Sequence, residues 1–116
     1  MGEAVMTTRQ QADGAVVVEI RGSLDTATVD AVRGELLVVL HREHPRTLVV
    51  DLMFVTFMDS TGISALVTAH EAARDVGGRV QVRNPSEFVH RQLRVTGLCD
   101  LFGLPSGPPN SRPYRF

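Results

Sequence analysis

The residues best suited to chemistry lie in one short run, Phe57-Met58-Asp59-Ser60-Thr61-Gly62. An acid, two hydroxyls and a glycine stand between an apolar stretch and a segment with helical apolar spacing. Such a junction suits a nucleophile, a helix cap, or a hydroxyl displayed for another enzyme to modify. The nucleophile elbow G-x-S-x-G needs glycine on both sides of its serine. Gly62 fills the second position, but Met58 stands at the first. No glycine-rich oxyanion loop is visible and His70 falls a helix onward, so an acyl hydrolase is disfavoured. As a cap, Asp59 or Ser60 would satisfy orphan N–H groups, worth about 0.5–2 kcal/mol. The cluster is more polar than one helix start requires, and Phe54, Phe57 and Met58 give it an apolar collar. That combination suits a docking surface built around a switchable hydroxyl.

Other candidate chemistries are weaker. Val49-Val50-Asp51-Leu52-Met53 resembles the strand that carries a phospho-acceptor aspartate in response regulators. Those domains also need an early acidic pair for Mg²⁺ and a lysine, and this chain contains no lysine at all. Asp51 reads instead as a strand-end carboxylate that accepts loop N–H bonds. His41 and His44 share a helix face without a cysteine or carboxylate set to complete a metal site. A solvated helix end, where histidine favours the dipole, accounts for them. No phosphate-binding loop or dinucleotide fingerprint occurs, so no cofactor is expected.

The elements that must position the cluster follow from apolar periodicity. Val16, Val18 and Ile20 alternate on one face of a strand. A strand over Ala4 to Arg9 can pair with it through Ala12-Asp13-Gly14 as an antiparallel hairpin. A helix from about Thr26 to Arg42 carries Val29, Val32, Leu36, Val39 and Leu40 as its core stripe. Thr47 to Leu52 is apolar at nearly every position, as in a central strand covered on both faces. After the cluster, Ile63, Leu66, Val67, His70 and Ala73 follow helical spacing until Gly77-Gly78. Arg79 to Arg83 alternates like a half-exposed strand. Asn84-Pro85 suggests an N-cap and first helical residue, with Phe88, Val89 and Leu93 facing inward. Leu98, Leu101 and Phe102 form a last packed segment. The pattern is an α/β fold, a mixed sheet with an antiparallel N-terminal hairpin, otherwise largely parallel, covered by helices. Residues 1–104 make one domain, and 105–116, rich in proline, read as a flexible tail.

Composition narrows the function classes. The chain has 116 residues, 43% hydrophobic and 22% charged, with a formal net charge of −1. That balance gives no broad pull toward nucleic acid or membrane. The longest apolar run, Leu36 to Leu40, is far too short to span a bilayer. No secretory h-region is present, and the single cysteine, Cys99, suits a reducing compartment. The expected location is cytoplasmic.

These residues together resemble a STAS domain, in particular a bacterial anti-sigma factor antagonist. The resemblance is carried by Arg21-Gly22-Ser23-Leu24-Asp25, Leu48-Val49-Val50-Asp51-Leu52, Phe57 to Gly62, Gly77-Gly78-Arg79-Val80 and Thr96-Gly97-Leu98. It covers about Val5 to Leu104. It implies a partner switch rather than an enzyme. The unmodified protein would bind an anti-sigma factor that is also a serine kinase of the GHKL ATPase type, freeing a sigma factor. The kinase would phosphorylate Ser60, and a PP2C-type phosphatase would reset it. By position, Asp25, Met58, Asp59, Thr61, Gly62 and Ile63 would form the partner contact patch. Bulk at Gly62 would then impair binding more than stability. The alternative implied function is a STAS interaction module in a signalling scaffold or a membrane lipid or anion transport complex. Two departures are visible: Ser23 stands where glutamate is common, and Ile63-Ser64 replaces the usual Leu-Gly.

Overall fold

A computed structural model describes residues 3–105. Its first hairpin pairs β1 (Ala4–Gln10) with β2 (Val16–Leu24), from Ala4 opposite Gly22 to Gln10 opposite Val16. The turn closes as expected around Gly14. Gly14 takes φ +89°, its N–H donates to the Gln11 carbonyl at 3.0 Å, and Ala15 N–H donates to Asp13 Oδ1 at 3.0 Å. Beyond β2 come α1 (Val29–Glu43), β3 (Thr47–Met58), α2 (Ser60–Asp75), β4 (Arg79–Arg83), α3 (Glu87–Val95) and one 3₁₀ turn, Asp100–Phe102. The sheet order is β1-β2-β3-β4, with β2, β3 and β4 mutually parallel. The mixed α/β architecture read from the sequence is the one observed.

The core lies between the helices and one face of the sheet. Val16, Val18 and Ile20 of β2, Leu48, Val50 and Leu52 of β3, and Val80 and Val82 of β4 meet the helical stripes there. All five stripe residues expected on α1 are buried. Burial of each large aliphatic side chain contributes about 1.5–3 kcal/mol. The opposite face carries a smaller cluster, Ala15, Val17 and Val49.

Three boundaries differ from the sequence reading, each for a local reason. Helix α1 starts at Val29, not Thr26, because Asp25 first organises a turn. Its Oδ1 accepts from Ala27 N–H at 2.9 Å, and its carbonyl accepts from Val29 N–H at 2.9 Å. Strand β3 continues past Leu52 to Met58 through two bulges against β2. Between Glu19 and Arg21 it advances from Asp51 to Phe54, and between Gly22 and Ser23 from Val55 to Phe57, one extra residue each time. Asp51 therefore lies inside the strand rather than at its end. It is buried and accepts from Met53 N–H at 3.0 Å, with Arg83 and Asn84 donors at 3.4 Å, at the point where β4 stops. The cap of α3 is Ser86, whose Oγ accepts from Val89 N–H at 3.1 Å. Asn84 instead takes a left-handed conformation, φ 58°, and turns its amide toward Asp51.

The last segment packs through Cys99 and Phe102, with Leu98 partly buried and Leu101 37% exposed. Burial pushes the Cys99 thiol pKa upward. The proline-rich tail lies, from residue 106 onward, outside the described residues.

Candidate functional site

The site forms where β2 and β3 end side by side. Their last paired residues are Leu24 and Met58, and Asp59 N–H donates to the Leu24 carbonyl at 3.1 Å. Asp25 and Asp59 are therefore the next residues out along adjacent parallel strands, on one rim. Asp25 is held there: its Oδ2 accepts from Ser23 Oγ at 3.2 Å, while Thr28 Oγ1 donates to the Ser23 carbonyl at 2.7 Å.

Asp59 is the N-cap of α2, with extended backbone, as its preference for that position anticipates. One oxygen, Oδ1, accepts from Thr61 N–H at 2.9 Å, Gly62 N–H at 3.4 Å and the Thr61 hydroxyl. The Thr61 hydroxyl bond, chiefly, holds the Asp59 carboxyl below its ordinary pKa, with the two backbone N–H groups adding to it against partial desolvation. Asp59 is thus an anion that fixes both the helix start and Thr61.

This clasp separates the two hydroxyls. Thr61 is half-buried and its hydroxyl is engaged. Ser60, the first helical residue, is exposed, and its side chain makes no hydrogen bond among the described residues. His70 lies on the same helix, about 15 Å further along its axis. Its ring meets Phe102 edge-on, with centroids 6.2 Å apart, so it is no base for Ser60.

Two residues expected on the contact patch are internal. Met58 is 0% exposed, because its side chain faces the helices from the last inward position of β3. Gly62 is buried directly above it. A Cβ at Gly62 would sit 2.7 Å from Met58 Cγ, 3.0 Å from Leu24 Cβ and 3.3 Å from the Leu24 carbonyl. Glycine here lets the first turn of α2 settle onto the strand ends, so bulk acts on packing first. Asp25, Asp59 and Thr61 remain half-buried on the rim, Ser60 is exposed, and Ile63 is half-buried beside it.

Apolar surface flanks Ser60 on two sides. A groove of about 320 Å³ between α2 and α3 is lined by Ser60, Ile63, Phe88, Arg91, Gln92 and Val95, with Thr96 at its end. Phe88, expected to face inward, is 54% exposed, since Val89, His90 and Leu93 take the inner side of α3. The sequence reading therefore missed Phe88, Arg91 and Val95. Their signal was the seven-residue spacing of Phe88 and Val95, a second helical stripe beside Val89 and Leu93. The other flank is the open sheet face. Residues three apart on a regular strand point to opposite faces. The bulge between Val55 and Phe57 places both Phe54 and Phe57 outward, beside Arg21 and Ser23. The Arg21 guanidinium covers the Phe54 ring at 4.0 Å from its centroid.

A small α/β domain that displays one free hydroxyl on a helix start, between an apolar groove and an aromatic ledge, is built as an interaction module. No helix among the described residues is long and apolar enough to cross a membrane. A family model for the STAS domain matches residues 6–109. The chain is 31% identical over 91 residues to an anti-sigma F factor antagonist of Paenibacillus polymyxa, covering 78% of each protein. It is 32% identical over 90 residues to an anti-sigma-B factor antagonist of Staphylococcus epidermidis, covering 78% of this chain and 82% of that protein. A crystal structure of an anti-sigma factor antagonist from Mycobacterium paratuberculosis matches with a TM-score of 0.75 at 29% identity, covering 88% of this chain and 85% of that one. The chain belongs to the STAS domain family, as its sequence motifs imply.

Proposed function

We propose that this protein is an anti-sigma factor antagonist that works by partner switching. Unphosphorylated, it binds an anti-sigma factor that is also a GHKL-type serine kinase, and the sigma factor is released. In that complex the Ser60 hydroxyl attacks the γ-phosphorus of ATP, its proton leaves, and ADP departs. A PP2C-type phosphatase hydrolyses the phosphoserine and restores binding. The observation that carries this reading is the division of labour at the cap: Asp59 ties down the Thr61 hydroxyl and leaves Ser60 exposed and free. Asp25, Asp59 and Ile63 surround Ser60 as partner contacts, with Thr61 holding Asp59 in place.

The switch needs no change of fold. A phosphate brings roughly −1.5 to −2 charges, here beside Asp59 and close to Asp25 on the same rim. A thousandfold loss of affinity corresponds to about 4 kcal/mol, within the range of a desolvated charge without partners. The test uses the anti-sigma kinase of the same cell, ATP and intact-mass analysis. One added phosphate should map to Ser60, and Ser60→Ala should accept none although Thr61 is intact. Titration calorimetry should show Ser60→Ala binding the kinase and Ser60→Asp binding much more weakly, with circular dichroism unchanged in both. A Ser60→Asp variant and a phosphoprotein that both bind like wild type would overturn the switch and favour a constitutive scaffold module.

A further inference from the structure

A phosphate on the first residue of a helix is ordinarily received by the free N–H groups of the first turn. Here three of those groups, the N–H of Thr61, Gly62 and Ile63, are engaged, leaving only that of Ser60. Asp59 Oδ1 accepts from Thr61 and Gly62, and the Asp59 carbonyl accepts from Gly62 at 3.0 Å and Ile63 at 3.2 Å. The cap also places a carboxylate where the phosphate would approach. One remaining N–H beside a carboxylate is a poor receptor for a dianion, so the modified side chain gains from a cation elsewhere in the fold.

The groove beside Ser60 supplies one. Of its lining residues only Arg91 is charged, and Arg91 is exposed and takes part in none of the ion pairs among the described residues. Its backbone is fixed relative to α2, because Val89 and Leu93 anchor α3 in the core and Ser86 caps it. The groove walls on either side, Phe88 and Val95, are apolar. An ion pair formed there is less screened than one on a flat polar surface. A guanidinium also offers two parallel donors to a phosphate, a geometry a lysine cannot match.

We propose that Arg91 receives the phosphate of phosphorylated Ser60 and that the resulting pair closes the mouth of the α2–α3 groove. The proposal rests on the reading of Ser60 as the modified residue. It adds a second physical component to release of the partner. Besides meeting repulsion at the Asp25–Asp59 rim, a partner side chain seated against Phe88 and Val95 loses its pocket to an internal phosphate–guanidinium pair. The unmodified protein, with Arg91 unpaired and the groove open, is the binding form.

Phosphoserine placed genetically at position 60 of the full chain tests this without any kinase. Phosphorus NMR follows the second ionisation of the phosphate between about pH 4 and 9, a window centred on its ordinary value near 6. A neighbouring cation favours the dianion, so the midpoint with Arg91 present should lie about half a pH unit below that of Arg91→Gln. Arg74→Gln, which removes the same charge at the far end of α2, should leave the midpoint unchanged. Coincident midpoints for wild type and Arg91→Gln, or an equal shift in Arg74→Gln, overturn the proposal. Such a result leaves kinase labelling of Ser60 standing. Failure of that labelling would instead remove the modification reading, whatever the NMR midpoint.

Discussion

Replacing Gly62 with alanine sets two effects of known sign against each other. Glycine in a helix interior is less favourable than alanine by up to about 1 kcal/mol, so propensity alone predicts a gain in stability. The added methyl, however, would stand 2.7 Å from Met58 Cγ, closer than real Cβ contacts come, and 3.0 Å from Leu24 Cβ, a tight contact from which the neighbour must give. Neither neighbour yields easily. Met58 and Leu24 are fully buried, and the Leu24 carbonyl, 3.3 Å away, is fixed by the N–H of Asp59. Overpacking costs about 1–3 kcal/mol, and with both neighbours fully buried the upper part of that range applies, about 2–3 kcal/mol, so after the propensity gain the net loss is about 1–2 kcal/mol. For a domain of this size that lowers the melting temperature by roughly 4–10 °C, read by calorimetry or by urea unfolding with an unchanged slope. Gly62→Val should lose more. Gly62→Ala combined with Met58→Ala should lose less than the sum of the two single changes, because the double variant relieves the clash. A Gly62→Ala protein as stable as wild type would refute the packing assigned to the first turn of α2.

Two further outcomes follow from the site. The Asp59 carboxyl is held below the ordinary aspartate value, so its contribution to stability is complete above that value and is lost as pH falls through the lower folded-state pKa. Asp59→Asn keeps a capping side chain but lacks this titration. Its urea midpoint should therefore fall less steeply between about pH 5 and pH 2, and parallel acid limbs would contradict the assignment. Phe88→Ala removes a ring that is 54% exposed, so the melting temperature should move by no more than a few degrees. Binding to the anti-sigma kinase should weaken about tenfold or more if the groove is part of the contact, as calorimetry would show.

Periodicity made the scaffold legible. Val29, Val32, Leu36, Val39 and Leu40 repeat at helical spacing and all are buried, and Val16, Val18 and Ile20 alternate as a strand should. The far half of β3 was hidden because two bulges break the alternation, so Phe54 and Phe57 read as loop residues. The inner face of α3 was ambiguous because Phe88, Val89, Leu93 and Val95 admit two stripes on a nine-residue helix. At the site, residue types pointed to a capped hydroxyl cluster, but they do not distinguish Ser60 from Thr61. That distinction arises from helix geometry: the second helical residue curls back to the cap carboxylate, while the first points away. Gly62 and Met58 share a motif with surface residues yet face the core, which only the strand register reveals.

The shortness of β4 has a mechanical consequence. The sheet is four strands wide from Leu48 of β3, but beyond Asp51 that strand is laddered to β2 alone, across both irregularities. Stiffness is therefore graded along β3. The clamped half carries Leu48 and Val50, whereas the half that delivers Asp59 and Ser60 is the compliant pole of the molecule. On the proposed partner switch, a kinase and a phosphatase would each grip the side chain at position 60 with differently shaped clefts, and small adjustments to either would be absorbed near Met53 and Thr56 before they reached the clamped rows. One end of the domain can thus adapt to successive visitors while the other preserves the fold.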